Sequence, residues 1–206
     1  MLEKDVPDWY LESCKRIKYM FPKAHACAYV MMALRIAYCK VYYPLAYYAA
    51  YFSIRAKSFS YELMCFGREK LEMCLKNLKT RSASNDPDKK LSDKEKDQMY
   101  VMRICQEMYA RNIEFLPIDI YQANATRFRI IDGKLMPSLT SIDGLGEIAA
   151  KQIEEGAKGE PFLSKEDMMI RCHVGQSIVE LLSGLGLLEG IPDTNQLSLE
   201  DLLSAE

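Results

Sequence analysis

The sequence is poor in the residues that build metal centres and disulfide frameworks. It contains two histidines, and none of its seven cysteines stands in a C-x-x-C pair. A structural zinc site usually needs four clustered Cys or His ligands, and the neighbours Cys172 and His173 supply only two. An odd number of scattered cysteines indicates reduced thiols, as in a cytoplasmic protein. We therefore expect neither a metal site nor a disulfide scaffold.

Long apolar runs are also absent. The longest stretch without a charged residue covers residues 41–54, which is 14 positions and rich in tyrosine. A helix needs about 20 apolar residues to cross a bilayer, so this stretch is too short. The N-terminus reads Met-Leu-Glu-Lys-Asp and lacks the apolar core of a secretory signal. These absences predict a cytoplasmic protein with no membrane partner.

Charge is distributed unevenly along the chain, although the overall net charge is only −2. Residues 1–81 carry a net charge of +7, and residues 82–206 carry −9. A basic half suggests a surface that faces a polyanion. The alternative, basic residues that merely solvate helical surfaces, stays open on charge alone.

Apolar spacing predicts a mainly α fold, with a helical first part followed by a small α+β part. Ser92 and Glu95 have the spacing of a capping box at a helix start. Asp132-Gly133 predicts the turn of a β-hairpin over residues 127–136. The helices of residues 22–43 and 44–56 are so apolar that we expect both to be mostly buried. The remaining predicted helices span residues 7–20, 60–80, 92–112, 147–157, 164–172 and 175–186.

A Gly-Leu-Gly turn at residues 144–146 is the strongest functional signal. Two glycines permit positive φ and leave no side chain to block an approaching group. The turn opens into a helix, whose first N–H groups are unpaired and lie at the positive end of the dipole. This arrangement resembles the helix-hairpin-helix motif, which binds a DNA backbone without reading bases. The alternative is an ordinary helix start punctuated by glycine.

A second signal lies where Pro22 opens a long helix. Lys23 and His25 stand in its first turn, and a cation with an imidazole at a helix N-terminus suits a triphosphate. Phe21 offers an aromatic surface on which a base could stack. The alternative interpretation is a helix start with solvated charges.

Ordered motifs along essentially the whole chain resemble PolC, the family of Gram-positive-type replicative DNA polymerase III α subunits. The similarity starts in the run around Lys23 and His25, and the last matching segment is one with which the family itself ends. The matching segments are residues 18–29, 35–38, 43–49, 109–115, 119–121, 141–146, 162–167 and 192–199.

The resemblance implies three parts. Residues 1–112 would be the C-terminal part of the polymerase fingers. Residues 113–191 would be a duplex-DNA-binding domain with tandem helix-hairpin-helix elements. Residues 192–206 would be a tail carrying a degenerate clamp-binding motif. The parent activity would be template-directed DNA synthesis by a nucleotidyltransferase that uses deoxynucleoside triphosphates and Mg²⁺.

The resemblance also implies roles for individual residues. Lys23 and His25 would contact the phosphates of the incoming nucleotide, and Phe21 would line the base pocket. In the first hairpin, N–H groups of the turn would hold a DNA phosphate. A second hairpin near residues 174–176 is more degenerate in sequence. The residues implied in DNA binding are Gly144, Leu145, Gly146 and Lys151.

The tail departs from the family pattern at one position. PolC proteins dock on the sliding clamp through Gln-Leu-Ser-Leu-Phe. Gln196, Leu197 and Leu199 keep this pattern here, and Glu200 replaces the aromatic anchor. Buried aromatic side chains are typical hot spots of binding energy, so this replacement weakens the expectation of clamp binding.

The chain also lacks an evident catalytic carboxylate pair. Phosphoryl transfer by two metal ions needs carboxylates that hold the ions about 4 Å apart. The resemblance places those carboxylates in a palm domain that precedes this segment. The one Asp-x-Asp spacing, Asp86-Pro87-Asp88, stands in a polar loop. We therefore expect no catalytic residue, no metal ligand and no polymerisation by this chain alone.

Two other functions stay open from the sequence. One is a standalone DNA-binding module without sequence preference. The other is an interaction protein that binds the clamp or other replisome subunits. Duplex binding that weakens steeply with salt would separate the DNA-binding functions from the interaction protein.

Overall fold

The computed structural model of the chain describes residues 5–16, 22–83 and 90–194. Contacts within the chain define two units, residues 1–43 and residues 44–206. The helices are α1 Asp8–Arg16, α2 Lys23–Tyr42, α3 Pro44–Ile54, α4 Tyr61–Met64, α5 Arg68–Ala83, α6 Asp93–Ala110, α7 Glu147–Gly156, α8 Lys165–Cys172 and α9 Gln176–Gly184. The strands are β1 Arg129–Ile131 and β2 Lys134–Met136.

The first unit contains α1 and α2. Pro22 precedes α2 with φ −58° and ψ 149°, an extended conformation that suits the residue before a helix. No residue of α1 or α2 is buried. The prediction that residues 22–43 form a mostly buried helix is therefore wrong for the described residues. The helix is apolar, as its sequence shows, but two helices of this size do not enclose a core.

The helical part of the second unit is built from α3 to α6. Pro44 is the first residue of α3, a position where its missing N–H group costs no helical hydrogen bond. Ser92 and Glu95 form the predicted capping box at the start of α6. Arg81 near the end of α5 pairs with Glu95 near the start of α6, as in an antiparallel helical hairpin.

One hydrophobic core lies among these helices and the β-hairpin. Its largest fully buried members come from α3, α4, α5 and α6, and aromatic rings from α3 and from the segments around the hairpin pack edge to face. Burial of this apolar surface is the main source of its stability. The principal side chains are Tyr48, Phe52, Phe59, Met64, Leu71, Met102, Met108, Phe115, Phe128 and Leu135.

The β-hairpin has the register Arg129 opposite Met136. Its turn residues, Asp132 and Gly133, have φ values of 49° and 75°. Two successive positive φ values are typical of the type I′ turn that matches strand twist, so the Asp-Gly prediction is confirmed. The segment that contains Phe115, ahead of the hairpin in the chain, makes one isolated bridge to β2, from Phe115 to Leu135.

A second core joins α7, α8 and α9 to the segments that lead into them. Lys94 at the start of α6 reaches across to Asp143, with 3.1 Å between Nζ and Oδ1. The central side chains of this core are Leu139, Ile142, Ala150, Ile153, Met168, Cys172, Val179 and Leu182.

The predicted fold class, mainly α with a small β element, is confirmed.

Candidate nucleic-acid interface

Hairpin 1, residues 142–146, forms a tight turn that leads directly into α7. Gly144 has φ +91°, a conformation that favours glycine. The N–H of Leu145 donates to the carbonyl of Ile142 at 3.1 Å, and the Leu145 side chain is buried. Gly146 then takes the N-cap position with φ −70° and ψ 155° and no side-chain cap. The buried leucine thus fixes the turn while both glycines stay exposed.

Hairpin 2, residues 173–175, repeats this geometry at the start of α9. His173 is in the left-handed region with φ +52°. Val174 is buried, and its N–H donates to the carbonyl of Met169 at 3.2 Å. Gly175 is the N-cap of α9 with φ −83° and ψ 165°, again without a side-chain cap. Each hairpin therefore has a positive-φ residue, a buried apolar residue and a glycine N-cap in the same order.

The two hairpins belong to one packed body. A Cβ built on Gly144 would lie 3.6 Å from Leu181 Cδ2, so hairpin 1 is in van der Waals contact distance of α9. Gly156, the last residue of α7, packs against Cys172 of α8, and a Cβ there would lie 2.5 Å from Sγ. Arg171 donates to the carbonyl of Gly156 at 2.8 Å. The spacing of the two helix starts is thus set by direct packing.

Both helix starts present unpaired donors to solvent. The first N–H groups of a helix lack the carbonyl one turn earlier, and neither glycine N-cap has a side chain that could replace it. In α9 the N–H of Ile178 donates to the carbonyl of Gly175 at 3.1 Å, so the open donors are those that precede Ile178. Elsewhere in the same chain, Ser92 and Ser164 do cap their helices, each accepting an N–H bond on its hydroxyl. The uncapped N–H groups of α7 and α9 can donate hydrogen bonds to an anion such as a phosphate.

Electrostatics differ between the two hairpins. The first turn of α7 contains Glu147, whose carboxylate contacts Lys151 Nζ at 2.6 Å. The hydrogen bond from Lys151 lowers the pKa of Glu147 below its usual range, so this acid is ionised beside the helix start. The first turn of α9 contains no acidic residue. Hairpin 2 is therefore the less repulsive environment for a phosphate.

Comparison with known proteins agrees with this geometry. A family profile described as "Helix-hairpin-helix motif" matches residues 112–197, which include both hairpins. The DNA polymerase III PolC-type of Clostridium perfringens is 48% identical over 199 residues, which is 97% of this chain. The PolC-type polymerases of Listeria monocytogenes and Caldanaerobacter subterraneus are 47% and 43% identical, each over 97% of the chain.

Over nearly its whole length, the chain matches a segment of PolC-type DNA polymerase III. The predicted resemblance is confirmed. The chain spans 13% of the length of the Clostridium and Listeria proteins and 14% of the Caldanaerobacter protein.

The PolC-like segment brings together some of the predicted DNA-binding residues. Gly144 and Gly146 are exposed at the helix start, as a phosphate seat requires. Leu145 is buried and serves as an anchor, so only its backbone belongs to the surface. Lys151 lies one turn into α7, where it pairs with Glu147. Hairpin 2 has the more degenerate sequence, because His173 stands at the position that Gly144 holds in hairpin 1.

The predicted nucleotide-binding residues lie in the other unit of the chain. Lys23 is exposed in the first turn of α2, and no side chain caps that helix start. The imidazole of His25, a half-buried residue, lies 4.5 Å from the ring of Tyr29, measured between ring centroids. Phe21 is outside the described residues, as are the tail residues Gln196, Leu197, Leu199 and Glu200.

The described part of the chain contains neither a cluster of potential metal ligands nor a membrane-spanning helix. Within residues 5–16, 22–83 and 90–194, no three His, Cys, Asp or Glu side chains come together as a metal site would require. Asp86 and Asp88 lie outside the described residues. Among the described helices, none combines the length and apolar character needed to cross a membrane.

Proposed function

We propose that this chain binds the sugar–phosphate backbone of duplex DNA and acts as the duplex-holding segment of a PolC-type replicative polymerase. The observation that carries the proposal is the pair of glycine-capped helix starts at Gly146 and Gly175. Their backbone conformations are nearly equal, and both leave N–H donors without a side-chain cap. Helix starts of this kind bind phosphates through their N–H groups and the helix dipole.

The proposed mode of binding is independent of base sequence. Backbone N–H groups that donate to phosphate oxygens position a protein on DNA, whereas sequence is read by contacts to base edges. Because Glu147 stands beside hairpin 1 and the first turn of α9 is free of acids, we assign the larger share of the affinity to hairpin 2.

The test is a titration of fluorescent duplexes of several sequences with the 206-residue chain at increasing salt. We expect equal dissociation constants for all sequences and a linear fall of log K with log salt concentration, as in backbone binding. A strong preference for one sequence would contradict the proposal. Absence of saturable duplex binding at low salt would also contradict it and would favour the replisome-interaction alternative.

We further propose that Lys23 and His25 contact the phosphates of the incoming deoxynucleoside triphosphate in the polymerase, with Phe21 lining the base pocket. The support is an exposed lysine at an uncapped helix start, where donors and dipole favour an anion. In a PolC polymerase carrying this segment, Lys23→Gln should raise the nucleotide KM about tenfold, the loss of one charge-assisted hydrogen bond. Lys40→Gln near the other end of α2 is the control, and an unchanged KM in Lys23→Gln would refute this role.

We assign phosphoryl transfer and its Mg²⁺ to other residues of the polymerase, because the PolC resemblance places the catalytic carboxylates in a palm domain that precedes this segment. Primer extension with the 206-residue chain and Mg²⁺ should therefore give no product, and extension of the primer would contradict this assignment.

Clamp binding through Gln196, Leu197 and Leu199 should be weak, because Glu200 supplies no aromatic anchor.

A further inference from the structure

A cleft of about 290 Å³, lined by both polar and apolar side chains, lies next to hairpin 1. One wall comes from the end of α3 and the loop after it, which contains Lys57. The opposite walls come from the segment around Thr126 and from the turn that contains Thr140. Glu147, the first residue of α7, lines the same cleft, so the cleft adjoins the helix start of hairpin 1. Its polar lining residues are Ser53, Lys57, Thr126, Ser138, Thr140, Ser141 and Glu147.

Backbone hydrogen bonds join the walls of this cleft. The N–H of Phe128 donates to Ser53 Oγ at 2.9 Å, which ties the second wall to α3. The N–H of Thr140 donates to the carbonyl of Ala125 at 2.9 Å, which ties the third wall to the second. The cleft is thus formed by the fold itself. Thr140 Oγ1 lies 3.1 Å from Ser138 Oγ, and when Ser138 is the donor of that bond the Thr140 hydroxyl keeps its own proton for an anion.

Glu154 fixes the cleft relative to α7. Its carboxylate accepts the N–H of Ala125 at 2.7 Å and the side-chain amide of Asn124 at 2.8 Å. Because Glu154 is two turns along the helix that starts at hairpin 1, the wall and the phosphate seat belong to one rigid arrangement. A strand held at hairpin 1 would therefore meet the cleft at a defined position.

The residues that line the cleft include one cation, Lys57, and one acid, Glu147. Lys57 is exposed and makes no ion pair with any residue that the structure describes. On its other side it borders a second pocket that contains Arg55 and Asp97, where the cations outnumber the acid. Glu147 is the acidic residue of the cleft, and its carboxylate is paired with Lys151. Among the described residues that line the cleft, Lys57 is consequently the cation without an ion pair.

We propose that Lys57, with the hydroxyl groups of Thr126 and Thr140, binds a phosphate next to the one held by hairpin 1. This inference rests on the proposed duplex binding and extends it beyond the helix-hairpin-helix elements. A lysine ammonium and two hydroxyl donors are a suitable set for a phosphate oxygen. The cleft therefore adds one phosphate contact along the same DNA strand. Formation of this contact releases one more counterion from the DNA.

The experiment compares Lys57→Gln with wild type in duplex titrations of the full 206-residue chain. We expect a three- to tenfold weaker affinity at low salt, uniform across sequences, and a salt slope reduced by about one. Thr126→Val should weaken binding by about threefold. Arg103→Gln, which removes an exposed charge from the middle of α6, is the matched control and should leave affinity unchanged. Thermal unfolding monitored by circular dichroism verifies that each variant is folded.

The outcomes separate this inference from the proposed function. Equal affinity and equal salt slope in Lys57→Gln and wild type would overturn the cleft proposal, while duplex binding itself would stand. An equal loss in Arg103→Gln would also overturn it, because the effect would then be one of general charge. A wild-type chain that does not bind duplex DNA would refute the proposed function and this inference together.

Discussion

Gly146 and Gly175 begin α7 and α9 with backbone angles that agree within 13° in φ and 10° in ψ. A Cβ added at either position would have no heavy atom within 4 Å, apart from the neighbouring residues in the chain and the backbone of its own helix. Neither glycine is therefore required by packing or by a positive φ. Their shared feature is an open helix start, which is the geometry that a phosphate needs.

Hairpin 2 can be tested through its left-handed residue. His173 has φ +52°, which is strained for a residue with a Cβ. His173→Gly should relieve that strain, and the more flexible unfolded chain offsets part of the gain, leaving up to about 1 kcal/mol of added stability. Urea denaturation measures this difference.

The same variant distinguishes backbone donors from the imidazole in DNA binding. Because the proposed donors of hairpin 2 are N–H groups, His173→Gly should keep the duplex affinity within about twofold of wild type. A loss of tenfold or more would show that the side chain, rather than the backbone, supplies the contact.

The contact between Gly156 and Cys172 predicts a stability defect that is specific to the α7–α8 pair. Gly156→Ala would place a Cβ 2.5 Å from Cys172 Sγ, so either the Cys172 side chain must change rotamer or the helices must shift. Overpacking of this kind typically costs about 1–3 kcal/mol of unfolding free energy. The same substitution at Gly184, which has open space around it, is the control.

A double variant tests that this cost comes from the sulfur atom. In a Cys172→Ala background, Gly156→Ala should cost less unfolding free energy than it does in wild type, because the clashing atom is gone. Equal costs in both backgrounds would contradict the steric explanation.

Acid sensitivity should arise in part at the start of α6. Hydrogen bonds from Arg81 and Ser92 lower the pKa of Glu95 to about 2, compared with about 4.3 in an unfolded chain. Because the folded pKa is the lower one, this contribution is complete above the unfolded pKa and is lost as the pH falls from about 4 to 2.

Glu95→Gln should therefore weaken the fall in unfolding free energy across that pH range. Urea denaturation at several pH values measures the slope, and Glu160→Gln, which removes an exposed acid, is the control. If the unfolding free energy falls equally steeply in wild type and in Glu95→Gln as the pH is lowered, Glu95 is not the source of this pH dependence.

The sequence predicted the elements around the site well, for identifiable reasons. Proline at position 44, the Ser92–Glu95 capping box and the Asp132-Gly133 turn are local signals, and each fixes a boundary through its own backbone chemistry. The Gly144-Leu145-Gly146 turn is local in the same sense. Tertiary features were harder: α2 is apolar but unburied, since burial depends on what surrounds a helix.

Two parts of the candidate interface could not be predicted from local patterns. Hairpin 2 was placed near residues 174–176 through the family resemblance and not by a local pattern, because His173 stands where hairpin 1 has Gly144; the backbone angles add its equivalence to hairpin 1. The cleft combines Lys57, Thr126 and Thr140, which are distant in sequence and are joined by hydrogen bonds between three separate segments. No spacing rule connects such residues.

The central claim is that uncapped N–H donors at Gly146 and Gly175 hold the DNA backbone, and one double variant tests it directly. In Gly146→Ser/Gly175→Ser, each new hydroxyl can accept a helix N–H bond, as Ser92 and Ser164 already do. Serine is a good N-cap, so the unfolding free energy should stay equal or rise, while one donor at each helix start becomes occupied.

The measurement is the dissociation constant of this variant for a duplex at low salt, with Gly184→Ser as the control at the end of α9. We expect affinity to fall about tenfold or more, equivalent to at least about 1.4 kcal/mol, without loss of stability. A dissociation constant equal to that of wild type in a stably folded variant would contradict the account.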